Sequence, residues 1–181
     1  MEQPEVPTEH LHEHMEHHAK HSGERWTLGV ALSSALLAAL AAVASLQAGH
    51  HANEAMISQV ETANQWSYFQ SKSIKESQLK GKMDILTALE KSIDPADKKK
   101  AEEYKTDKEE IQKHAGEKEK EAQHELQTHQ IFAKSVTLFQ IAISIGAIAA
   151  LTRRQRFWFV SLVCGVIGLV YFVQAFLAAA H

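Results

Sequence analysis

The chain has 181 residues, with 19 Lys and Arg, 22 Asp and Glu, 12 His and a formal charge of −3. All 22 carboxylates lie between Glu2 and Glu125, and stretches 26–49, 135–152 and 157–180 carry no charged side chain. A helix needs about 20 mostly apolar residues to cross a bilayer core of roughly 30 Å, so this partition excludes a soluble enzyme built around one water-excluding core. It predicts an all-α integral membrane protein with three transmembrane helices. A long antiparallel helical hairpin, a coiled-coil-like stalk, separates the first span from the second.

Residues 1–25 form an acidic, histidine-rich tail, with six Glu against Lys20 and Arg25. A secretory signal needs a basic start and a short apolar stretch, so the tail is expected to precede a retained anchor at 26–49. The tail holds His10, His12, His14, His17, His18 and His21, and in helical form His10, His14, His17, His18 and His21 share one side with Glu9, Glu13 and Glu16 nearby. Neutral imidazole ligates Zn, Cu or Ni, but this spacing does not enforce a closed site. A solvated tail, a transition-metal binder and a pH sensor are the competing readings.

The first span is rich in Ala, and Ser34, Ala38 and Ala42 line a small-xxx-small ridge that lets helices approach closely in lipid. Segment 50–131 is polar, with 13 Lys and 16 Asp and Glu. Its abundance of Lys, Glu, Gln and Ala favours helix almost throughout. At the turn, placed at 94–95, Asp94 can cap a following helix and Pro95 suits its first turn. One helix is therefore expected to end near Ile93 and the next to begin near Pro95. The outgoing arm offers a thin seam of Leu79, Met83, Leu86 and Ile93. The returning arm offers Ala101, Tyr104, Lys108, Ile111, Ala115, Lys118 and Ala122. Arms of 44 and 36 residues at about 1.5 Å per residue do not match in length: either the first membrane helix ends beyond 49 or the outgoing arm bends, with Gly81 the candidate bend and tilt absorbing the rest.

Within the outgoing arm, Asn64, Trp66, Tyr68, Phe69, Gln70, Lys72 and Ser73 form an aromatic–polar motif. Packing against neighbouring helices and a ligand cup lined by Trp66, Tyr68 and Gln70 are the two readings. This motif and the Ala-rich span before it resemble an uncharacterised bacterial membrane-protein family, domain of unknown function 4337. The resemblance covers 26 to the C-terminus and implies one span, a long helical segment and two closing spans. It implies no activity, cofactor or catalytic residue.

The second span is placed at 132–152 and the third at 157–180, joined by a basic loop at 153–156. Arg153, Arg154 and Arg156 there, with Lys20 and Arg25 before the first span, place these segments in the cytoplasm by the positive-inside rule. Stalk and C-terminus are then periplasmic, in a bacterial inner membrane. Ser161, Gly165 and Gly168 form a second small-residue ridge, and the lone Cys164 reads as a small apolar residue. The topology brings His50, His51, His129 and His181 to the outer membrane boundary, as interfacial caps or as a metal or pH site. Phosphate-loop, nucleophile-elbow, zincin and dinucleotide motifs are absent from the sequence, and nucleic-acid binding is not expected at this charge. The expected function is non-enzymatic: a homo-oligomeric structural or interaction protein in the lipid bilayer, with a further membrane or periplasmic partner. The alternative is a sensor-like ligand or metal binder acting through such a partner.

Overall fold

A computed structural model describes residues 25–180 as three helices. They are α1 (Arg25–Ala88, 64 residues), α2 (Pro95–Thr152, 58 residues) and α3 (Gln155–Ala179, 25 residues). All three are long and apolar enough to cross a membrane, and no strand occurs among the described residues. The histidine-rich tail up to His21, and His181, lie outside the described residues.

The α1–α2 connection shows why the first helix stops at Ala88, five residues before Ile93. The Lys91 N–H donates to the Leu86 carbonyl at 2.9 Å and the Glu90 N–H to the Thr87 carbonyl at 3.0 Å. Glu90 takes φ 54°. This pair of bonds around one left-handed residue satisfies the last carbonyls of the helix. On the other side, Asp94 Oδ1 accepts from the Ala96 N–H at 2.9 Å, capping α2 with Pro95 in its first turn. The α2–α3 turn repeats the device: Arg153 has φ 54° and the Arg154 N–H reaches the Ala149 carbonyl at 3.3 Å.

The described residues form two compact units, 25–52 with 126–180, and Asn53–Glu125. The first is a three-helix bundle. A side chain added at Gly29 would meet Trp158 and one at Gly165 would meet Leu37, so α1 and α3 run parallel. Ser135 Oγ donates to the Gly168 carbonyl at 3.0 Å and Ser161 Oγ to the Ala142 carbonyl at 2.6 Å, so α2 runs opposite to α3. Leu37, Ala41, Ala44 and Ala48 of α1 pack with Phe132, Phe139, Ala142 and Ile143 of α2 and Ala175 of α3. Cys164 is partly buried against this core. The α3 ridge of Ser161, Gly165 and Gly168 is buried as expected. The α1 ridge is not: Ser34 is buried, Ala38 half-buried and Ala42 exposed. The buried stripe instead follows Val30, Ser34, Leu37, Ala41, Ala44 and Ala48, because packing against a neighbour selects a spacing of 3.5 residues rather than every fourth.

In the second unit the two arms pair antiparallel. Lys118 meets Glu61 at 3.0 Å, Lys72 meets Asp107 at 2.6 Å and Lys82 meets Asp97 at 2.6 Å, so one number falls as the other rises. The returning seam lies where its spacing predicts, with Ala101, Ile111, Ala115 and Ala122 buried and Tyr104, Lys108 and Lys118 half-buried. Leu79, Met83, Leu86 and Ile93 are half-buried opposite. The outgoing stripe also includes Ala55, Ser58, Thr62, Phe69, Lys72 and Glu76 at the same alternating spacing. Gly81 lies within unbroken helix. The early stop at Ala88 removes most of the length mismatch expected between the arms.

Candidate functional site: the aromatic and ion-paired patch

The aromatic–polar motif occupies about three turns of α1 in the second unit, and its residues divide between two environments. Phe69 and Lys72 turn into the seam and Ser73 is half-buried at its edge. Trp66 is 37% and Tyr68 50% exposed, with Asn64 and Gln70 also outward. Trp66 meets Phe69 edge-on at 5.5 Å, so the indole shields one flank of the seam without entering it.

Lys72 is the centre of the patch. Its Nζ donates to Asp107 Oδ2 at 2.6 Å and stands 5.2 Å from the Tyr68 ring centre and 5.3 Å from that of Tyr104. Both distances suit a cation over an aromatic ring. The Asp107 hydrogen bond, then the one with Tyr68, raises the Lys72 pKa above the ordinary lysine value. One turn on, Glu76 is 5% exposed and binds Lys108 at 2.6 Å through one oxygen and Lys80 at 2.5 Å through the other. Those two bonds, Lys108 first, hold its carboxyl below the usual range. Lys108 also stands 5.5 Å from the Phe69 ring centre. Farther along, Lys118 bridges Glu121 at 2.9 Å and Glu61 at 3.0 Å, which raises the Lys118 pKa and lowers that of Glu121.

Chemically, the patch favours the ionised carboxyl of Glu76 and the protonated amine of Lys72. No buried side-chain polar atom among the described residues lacks a hydrogen-bond partner. An open groove of about 440 Å³ runs beside it, lined by Ser73, Glu76, Ser77, Lys80, Gly81, Asp84 and Lys108. Asp107 and Glu76 belong to this network without any individual sequence signal, and Tyr104 is legible only as a seam position. They reveal themselves only once the register pairs the arms.

Of the boundary histidines, His50, His51 and His129 belong to the bundle unit. His129 Nδ1 lies 2.8 Å from the Ala48 carbonyl, which can only accept, so that nitrogen carries the proton. His51 stacks on the fully buried Phe132 at 5.6 Å, and its ring centre is 5.3 Å from that of the exposed His50. Phe132, Phe172 and Phe176 continue the cluster edge to face. Among the described residues no group of three or more His, Cys, Asp or Glu is placed to hold a metal.

Fold and patch together define an all-helical protein with three helices of membrane-crossing length and a register-setting ion-pair network on its polar arms. The chain belongs to the family described as a domain of unknown function, DUF4337, whose model matches residues 12–178. The match includes most of the histidine-rich tail, which the sequence resemblance left out. No curated protein and no solved structure matches it.

Proposed function

We propose that the protein is a non-enzymatic, homo-oligomeric structural or interaction protein of the bacterial inner membrane. Its N-terminus and Arg153–Arg156 loop face the cytoplasm, and its paired arms are displayed as a coiled-coil stalk on the other side. The observation that carries this reading is the seam, where four ion pairs cross between the arms among small buried residues and half-buried apolar ones. A seam in which Ala, Ser, Thr, Lys and Glu outnumber the larger apolar residues, most of them only half-buried, contributes modest hydrophobic stabilisation, but charged rungs fix one register, a role attested for polar seam residues. Such a pair gains from neighbours that exclude water along its length. The ionisation states of Glu76 and Lys72 support a holding role over proton transfer.

The measurement that tests it is particle mass in nanodiscs. A multi-copy particle with ordered arms is expected, and a single-copy particle with equally ordered arms refutes it.

A further inference from the structure

The two arms of the second unit present very different outward faces. On α1, away from the seam, Met56, Val60, Ala63, Ser67, Gln70 and Ile74 repeat the alternating spacing of four and three that the seam uses. All six are exposed, with Met56 and Ile74 each 58% accessible, and Ile57 beside them is exposed as well. None carries a charge. The equivalent outward stripe of α2 contains Lys99, Glu102, Glu109, Lys113 and Lys120, all exposed.

We infer that the uncharged α1 stripe is the surface through which a second copy of this chain docks, side by side and parallel. The inference rests on the homo-oligomeric reading above and names its contact. Copies anchored in one membrane share an orientation, so a two-fold axis between them runs along the membrane normal. In a parallel symmetric helix pair each stripe residue meets its own counterpart. A charged stripe would then set Glu109 against Glu109 and Lys113 against Lys113, which is repulsive. The α1 stripe sets Met56, Val60 and Ile74 against themselves and Gln70 against a second amide with which it can exchange hydrogen bonds. Self-pairing therefore selects α1 and disfavours α2. The stripe spans about 27 Å and, at a helix width of about 10 Å, covers roughly 300 Å², short of the roughly 800 Å² a side of a free-standing interface. Confinement of both copies in one bilayer supplies the effective concentration that this contact needs.

The test is disulfide cross-linking of the full chain in membranes, in a Cys164→Ala background. Gln70→Cys and Ile74→Cys should each give a dimer of this chain, and Glu109→Cys and Lys113→Cys should not. Adding Ile74→Glu or Ile74→Lys to the Gln70→Cys chain should abolish the dimer, and co-expression of the two charged forms should restore it. Cross-linking at Glu109 as strong as at Gln70, or adducts of Gln70→Cys with a different protein, would overturn the inference. A multi-copy particle without cross-links at either α1 position removes this face and leaves the oligomer standing. A single-copy particle removes both.

Discussion

Glu90 and Arg153 occupy a backbone conformation that glycine ordinarily takes, each at φ 54° just past a helix C-terminus. A side chain there costs roughly 1–2 kcal/mol, partly offset because glycine would loosen the unfolded chain. Glu90→Gly should therefore stabilise the arms by up to about 1 kcal/mol, seen as a higher melting temperature of helical circular dichroism. Lys91→Gly should give no such gain. This substitution of Glu for Gly is also why the end of α1 was not legible: Asp94 and Pro95 announce the next helix locally, but nothing local announces a left-handed Glu. Glu76 makes the second prediction at this scale. Its carboxyl pKa is held below the usual range, by Lys108 first and then Lys80. Its contribution is therefore complete above the unfolded value of about 4.3 and is lost as pH falls through the folded one. The melting temperature of the full chain should drop in that acid window, and Glu76→Gln should flatten the drop. Glu121 adds to the same limb with the same sign. At neutral pH, Glu76→Ala should cost about 1–3 kcal/mol, towards the lower end because the Lys80 side chain is 59% exposed. An acid limb unchanged by Glu76→Gln would refute this account of Glu76.

At the scale of the helices, glycines separate the tight contacts from the open ones. A Cβ at Gly168 would stand 2.9 Å from Phe139 and 3.2 Å from the Leu138 Cβ, and one at Gly165 3.0 Å from Leu37. Gly49, Gly81 and Gly116 would meet nothing within 4 Å. Alanine at Gly168 should destabilise the bundle by about 1–3 kcal/mol, because the rings of a filled core must shift. Alanine at Gly81 or Gly116 should stabilise the arms by about 0.5–1 kcal/mol through helix propensity alone. Thermal unfolding of the single variants in one detergent checks the sign at each position. The α3 ridge was readable because Ser161, Gly165 and Gly168 stand out among Val, Phe and Leu. The α1 ridge was not, since an Ala-rich helix offers small-xxx-small on several faces and only packing chooses one. The returning seam was readable in phase from Ala101, Ile111, Ala115 and Ala122. Its partner stripe was less so, because Ser58, Thr62, Lys72 and Glu76 carry no apolar contrast. The aromatic motif was visible as a motif, yet its role depends on Tyr104, Asp107 and Lys108 across the seam, which no local pattern pairs with it.

For the molecule as a whole, the prediction is its sidedness. Within the bundle, a Cβ at Gly29 would lie 3.1 Å from Trp158, and the Trp158 Nε1–H reaches Ser33 Oγ at 3.3 Å. The start of α1 and the basic turn before α3 therefore sit at one end of the bundle. That shared end gathers Trp26, Phe157, Trp158 and Phe159 near Arg153, Arg154 and Arg156, the composition of an interfacial belt beside a basic loop. Short basic loops are retained on the cytoplasmic side, whereas long segments translocate largely regardless of their charge, so the 13 lysines of segment 50–131 do not compete. In a Cys164→Ala background, Asp97→Cys should react with an impermeant maleimide added to intact cells whose outer membrane has been permeabilised. Arg154→Cys should react only after the inner membrane is opened. Residue 154 is exposed and residue 97 half-buried, and either thiol can be reached once its side is accessible. The reverse pattern would invert the orientation while leaving the bundle intact. Labelling of both positions from one side would refute the proposed sidedness.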